Sequence, residues 1–179
     1  VARQAALEAV SEQDCFPFVC DLATADDVPA VLEQSSPPDA ARLLTFFGMI
    51  PNFEPEMILP KLAALMRSDD TLLFSANLAP GRDYAEGVRR VLPQYDNKLT
   101  RDWLLAFLLD LGVEHGDGEL RFAVEDSAGG NGLKKIVARF HFHWPCRIEV
   151  EGEAFEFRAG DDLQSFFSYR YTPELAPRA

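Results

Sequence analysis

The sequence predicts a mixed α/β chain in which a parallel, doubly wound sheet is followed by an antiparallel lobe built from helices and strands. Three observations carry this. Three short apolar runs, Cys15-Phe16-Pro17-Phe18-Val19-Cys20, Arg42 to Phe47 and Thr71 to Asn77, are separated by helical segments, the pattern of parallel strands covered on both faces. Each run closes on a polar or glycine-containing stretch, at Asp21, at Gly48-Met49-Ile50-Pro51-Asn52 and at Asn77. Beyond Asn77 the pattern changes to two helical segments and then to strands with glycine-rich turn signals, one of which alternates with period two.

In chain order, Ala2 to Val10 has helical composition and reads as a helix already in progress, as though the chain were a piece of something longer. Cys15 to Cys20 is expected as a buried strand. Asp26-Asp27 opens a helix to about Gln34, and Ser35-Ser36-Pro37-Pro38-Asp39 is a loop. A second strand spans Arg42 to Phe47, and a helix with apolar Ile58, Leu62 and Leu65 runs from Glu54-Pro55-Glu56 to about Arg67. The third strand, Thr71 to Asn77, follows the Ser68-Asp69-Asp70 turn. Helices are then expected at Tyr84 to Leu92 and at about Thr100 to Gly112.

Strands follow at Leu120 to Val124 and at Leu133 to His143. In the latter, Ile136, Ala138, Phe140 and Phe142 alternate with Lys135, Arg139, His141 and His143, as on a half-exposed antiparallel strand. Arg147 to Val150 and Ala154 to Phe157 flank a hairpin turn, and a last strand runs from Leu163 to Tyr171. The chain is thereby divided into a part at 1–95 and a lobe at 96–179. Ligands of parallel α/β sheets bind at the carboxyl ends of the strands, so Asp21, the Gly48 to Asn52 loop and Asn77 are expected around one crevice.

Seventeen basic against 29 acidic residues give a net charge of −12, which argues against a surface made to neutralise phosphates, and so against nucleic acid or an anionic membrane as partner. Three cysteines with no Cys-x-x-Cys pair argue against a disulfide framework and for a reducing, cytoplasmic setting. No apolar run approaches the roughly 18 residues of a membrane helix.

The stretch Leu43-Leu44-Thr45-Phe46-Phe47-Gly48-Met49-Ile50-Pro51-Asn52-Phe53-Glu54-Pro55 resembles the fourth-strand loop of the histidine-specific methyltransferases that use S-adenosylmethionine. The resemblance recurs at Leu72 to Leu78, Tyr95-Asp96, Arg147-Ile148-Glu149 and Gly160-Asp161-Asp162-Leu163-Gln164-Ser165-Phe166-Phe167-Ser168-Tyr169-Arg170-Tyr171, in the family's order. It implies a partial Rossmann-like methyltransferase sheet with an inserted antiparallel α+β substrate lobe, and S-adenosyl-L-methionine as cofactor. It implies cofactor contacts from Asp21, Leu22 and Gly48, and substrate contacts from Asn52, Phe166 and Ser168. No catalytic side chain is implied. The residues fit these roles: a carboxylate can accept from an exocyclic amine, and an asparagine presents both a donor and an acceptor. Period two puts Phe166, Ser168 and Arg170 on one face of the last strand, and Phe167, Tyr169 and Tyr171 on the other.

Departures narrow the reading. Phe166 stands where the family has the glutamate that recognises its substrate, so a small amino-acid-like amine other than histidine is expected. No glycine-rich loop followed by a helix occurs, so the strands that hold the cofactor phosphate-side in such sheets are expected to be missing, and the chain alone to be inactive. The strand ending at Asp21 is then expected to slide against Leu43 to Phe47, or a homodimer to supply strands across the gap. The alternative function is a non-catalytic small-ligand-binding or interaction domain derived from the same fold. For Asp21 the alternative role is capping the following turn; for Asn52, a plain turn residue. The aromatic and aliphatic stripe from Trp103 to Leu111, with Tyr84 and Tyr95, reads mostly as core. His141, His143 and Cys146 read as a solvated sheet face and not as a metal site, since a fourth ligand is not evident.

Overall fold

A computed structural model of the chain describes residues 2–175. It is a mixed α/β protein that divides into two compact units, Val1–Leu44 with Pro55–Leu72, and Thr45–Glu54 with Leu73–Ala179. The helices are α1 (Ala2–Ala6), α2 (Val28–Ser35), α3 (Pro55–Leu65), α4 (Tyr84–Val91) and α5 (Lys98–Asp110). The strands are β1 (Leu43–Phe46), β2 (Thr71–Phe74), β3 (Gly118–Asp126), β4 (Lys134–Phe142), β5 (Cys146–Val150), β6 (Glu153–Phe157) and β7 (Asp162–Arg170).

The parallel sheet is smaller than expected. β1 and β2 form a two-stranded sheet, and the amides of Thr71 and Ser75 donate to the carbonyls of Arg42 and Phe46, so the rungs advance in the same direction along both strands. Cys15 to Cys20, expected as a third strand, is irregular, with Phe16 60% and Phe18 57% exposed. It neither slides against Leu43 to Phe47 nor pairs with any other strand among the described residues. Apolar character alone does not make a strand: without a ladder partner the extended backbone gains nothing over coil, and Pro17 removes one donor from a six-residue run.

In the first unit the polar framework centres on Asp70. Its carboxylate accepts from the Arg42 amide (2.8 Å), Arg42 Nε (2.9 Å) and the Arg67 amide (2.8 Å), while Arg42 Nη2 also reaches the Leu65 carbonyl at 2.7 Å. The Arg42 guanidinium bonded to it holds the Asp70 carboxyl well below the usual range. Glu33 of α2 pairs with Arg67 just past α3, with Nε to Oε1 at 3.0 Å.

The second unit is built on an antiparallel sheet ordered β3-β4-β7, with the β5–β6 hairpin beside it. Ile136, Ala138, Phe140 and Phe142 of β4 are fully buried, as the alternation predicts. They pack with Leu104 and Leu108 of α5 and Val88 and Val91 of α4. Residue 95 thus falls inside this unit, because α4 packs through Val88 and Val91 on Ile136 of the same strand β4. The α5 stripe is core on one side only: Leu104 and Leu108 are buried, whereas Leu99, Trp103 and Phe107, at i, i+4 and i+8 on another face, are exposed. The hairpin turn is Glu151-Gly152, with φ of 51° and 85°, the two left-handed residues that a tight two-residue loop requires.

Lys135 of β4, expected on the polar face of the alternation, is buried, and so is Val137 next along that face. Glu54, just after the 3-10 turn that holds buried Ile50 and Pro51, bonds to Lys135. No helix among the described residues is long and apolar enough to cross a membrane.

Candidate functional site

β7 carries the site. A bulge interrupts its pairing with β4, since Ala138 opposes Phe166 while Arg139 opposes Gln164, leaving Ser165 as the extra residue. Ser165 Oγ turns back onto the Ala138 carbonyl at 3.3 Å. Bulges re-aim side chains at sheet edges, and here Gln164, Ser165, Phe166 and Phe167 together with Asn52 line an open recess of about 270 Å³. Asn52 ends the 3-10 turn Ile50–Asn52, whose buried Ile50 and Pro51 anchor it, and its amide donates to the Met49 carbonyl at 2.9 Å. The side chain itself is exposed.

On the face of β7 that carries Phe166, Ser168 and Arg170, one aromatic residue meets all three. The Tyr95 ring lies 5.6 Å from the Phe166 ring, and its hydroxyl is 3.5 Å from Ser168 Oγ. Arg170 Nη2 donates to the same hydroxyl, with the guanidinium carbon 4.9 Å from the ring centroid. Ser168 is 1% and Arg170 5% exposed. Burial lowers the Arg170 pKa, and Tyr95 offsets part of that. Tyr84 fixes the end of the strand: its hydroxyl donates to the Arg170 carbonyl at 2.7 Å and accepts from the Lys134 amide at 2.6 Å.

The opposite face is closed by a second polar group. Glu54 accepts from Lys135 Nζ at 3.0 Å and from the Tyr169 hydroxyl, and Ser127 Oγ lies 3.3 Å from that hydroxyl. The Lys135 ammonium stands 5.1 Å and 5.5 Å from the Phe167 and Tyr169 ring centroids. Burial and the bond to Glu54 raise the Tyr169 pKa. For Lys135 burial acts downward, but Glu54 and Tyr169 outweigh it and the pKa is raised.

Of the residues expected to touch substrate, Asn52 and Phe166 share the recess, and Ser168 lies on the Phe166 face against Tyr95. Gly48, at φ 71°, follows β1 and donates its amide to Ser75 Oγ at 2.7 Å, which ties the loop to the segment after β2. Asn77 gives its carbonyl to the Tyr171 amide. Asp21 and Leu22 belong to the first unit. Asp21 does not end a strand; its carboxylate accepts from the Ala23 amide at 2.9 Å and from Thr24 Oγ1 at 3.1 Å, the capping arrangement of an Asx turn. Leu22 lines a small recess of about 160 Å³ with Ala25, Val28 and Leu65, whose rim holds Asp26 and Lys61 3.6 Å apart.

Tyr95 and Arg170 were the residues hardest to find from sequence. Tyr95 reads as core, and Arg170 signals only its shared face with Ser168, so nothing local joins the two. His141 pairs with Asp162 at 2.8 Å, and among the described residues no group of three or more His, Cys, Asp or Glu side chains could hold a metal ion. A scan against models of known protein families finds no match, and a search of curated proteins finds none.

Proposed function

We propose that the chain carries the substrate-recognition part of an S-adenosylmethionine-dependent N-methyltransferase, with a partial Rossmann-like sheet, working in the cytoplasm on a small amino-acid-like amine other than histidine. The observation that supports this best is that Asn52 and Phe166, far apart in sequence, line one recess with Ser168 on the face behind Phe166. These are the positions at which the resemblance implies a substrate pocket. Methyl transfer to an amine needs alignment of the two reacting atoms more than a strong base, and a rigid Asn and Ser pocket with an aromatic wall serves that end. Phe166 disfavours a cationic or imidazole-bearing group, because a ring replaces the carboxylate that would pair with it. On this reading, exposed Phe16 and Phe18 are the surface that a homodimer would cover.

A titration with S-adenosylmethionine followed by amide NMR tests the proposal. It predicts weak, millimolar-range binding that shifts the amides of Leu22, Ala23 and Ala25 and is lost in Asp21→Ala. If no such shifts occur, the cofactor assignment fails, and the non-catalytic ligand-binding domain takes its place. That second reading is favoured by one observation, that both carboxylate oxygens of Asp21 are already engaged within its own turn.

A further inference from the structure

The donors and acceptors around Arg170 do not balance. A guanidinium offers five N–H groups and does not lose its charge by deprotonation in a protein. Nη2 donates to Tyr95, whereas Nε is buried with no partner among the described residues. No carboxylate among those residues pairs with Arg170; the residue opposite it on β4 is another cation, Lys134, which is paired with Asp126. The remaining groups at the cluster, the Tyr95 and Ser168 hydroxyls, share one contact and keep at least one further proton to donate. Beyond the Tyr95 hydroxyl oxygen the cation has no acceptor for its buried Nε and no anion beside it among the described residues, and a buried charge is costly until an anion neutralises it.

We propose that Tyr95, Ser168 and Arg170 form an anion site that takes a carboxylate attached to a flat or apolar body. The planar guanidinium matches the two oxygens of a carboxylate, the one hydroxyl proton not used between Tyr95 and Ser168 supplies a further donor, and the Phe166 ring beside Tyr95 offers the apolar wall. The substrate of the chain is accordingly an amine with an acidic group at this end. That last step rests on the methyltransferase reading above; the anion site itself does not, and is tested without cofactor.

The probe is sodium benzoate, titrated into the whole chain at neutral pH while the Arg170 Nε–H signal is followed. The site predicts a saturable shift that neutral benzyl alcohol does not produce. Affinity should fall at least about tenfold in Arg170→Met and partly recover in Arg170→Lys. Should Arg170→Met fail to fold, Tyr95→Phe combined with Ser168→Ala is to weaken benzoate at least about threefold. No saturable shift, equal affinity in the variants, or tighter binding of inorganic phosphate than of benzoate overturns the proposal. Benzoate binding with no response to S-adenosylmethionine would leave the anion site standing and remove the methyltransferase reading, and the reverse result would do the opposite.

Discussion

The Arg170 guanidinium carbon lies 4.9 Å from the centre of the Tyr95 ring, and its Nη2 donates to the hydroxyl of the same residue. Stacking on the ring and bonding to its oxygen orient the cation but bring no negative charge to it. The arrangement is therefore held for a ligand at some cost to the unliganded fold.

Replacing Arg170 with methionine, of similar length and without charge, is expected to leave stability unchanged or to raise it by up to about 2 kcal/mol. Urea denaturation at neutral pH checks this. A large loss of stability would mean that the guanidinium is a structural element with its charge already satisfied.

Glu54 holds Lys135 and Tyr169 together, so Glu54→Ala is expected to cost about 1–2 kcal/mol, less than a fully buried pair because Glu54 is part-exposed. The pH dependence has a definite sign. Lys135 and Tyr169 both have pKa values raised in the folded chain, from ordinary values of 10.5 and 10.0. Each therefore contributes stability that is complete below about pH 10 and is lost as the pH rises through its folded value. Thermal melts between pH 8 and pH 11 should show that loss in the parent chain and less of it in Glu54→Ala, where the Lys135 share goes while burial still raises Tyr169. Parallel curves would place the alkaline transition elsewhere.

How far such groups were legible from sequence depended on how local their causes are. The alternation of Ile136, Ala138, Phe140 and Phe142, and the Glu151-Gly152 turn, announce β4 and the β5–β6 hairpin, because period and turn chemistry act over a few residues. The face containing Lys135 looked solvated because the partner of its lysine is Glu54, a part-exposed carboxylate from a distant loop that no residue near Lys135 signals. Cys15 to Cys20 looked like a strand because an apolar run carries no information about whether a neighbour exists to pair with it. Asn52, Phe166 and Ser168 were expected from motif order, and the structure brings Asn52 and Phe166 to one recess; that Tyr95 and Arg170 meet came into view only once β7 and the segment after α4 were packed together.

Phe166→Glu should restore a partner for imidazole and raise affinity for histidine by about tenfold, the value of one charge-assisted hydrogen bond. Phe166→Leu should not. Calorimetry on the two variants separates a gain of charge from a mere gain of space, and equal histidine affinities would exclude the role given to Phe166.

The central claim is that Asn52 and the bulged segment of β7 from Gln164 to Phe167 line a single ligand site that rejects histidine and accepts an amine carrying a carboxylate on a flat or apolar body. Its most direct test is a titration of the chain with phenylalanine and, separately, with histidine, following the Asn52 side-chain amide and the Phe166 backbone amide by NMR. Phenylalanine is predicted to move both signals with one shared dissociation constant, and histidine to move neither. Movement of both by histidine, or different constants for Asn52 and Phe166 with phenylalanine, would contradict it.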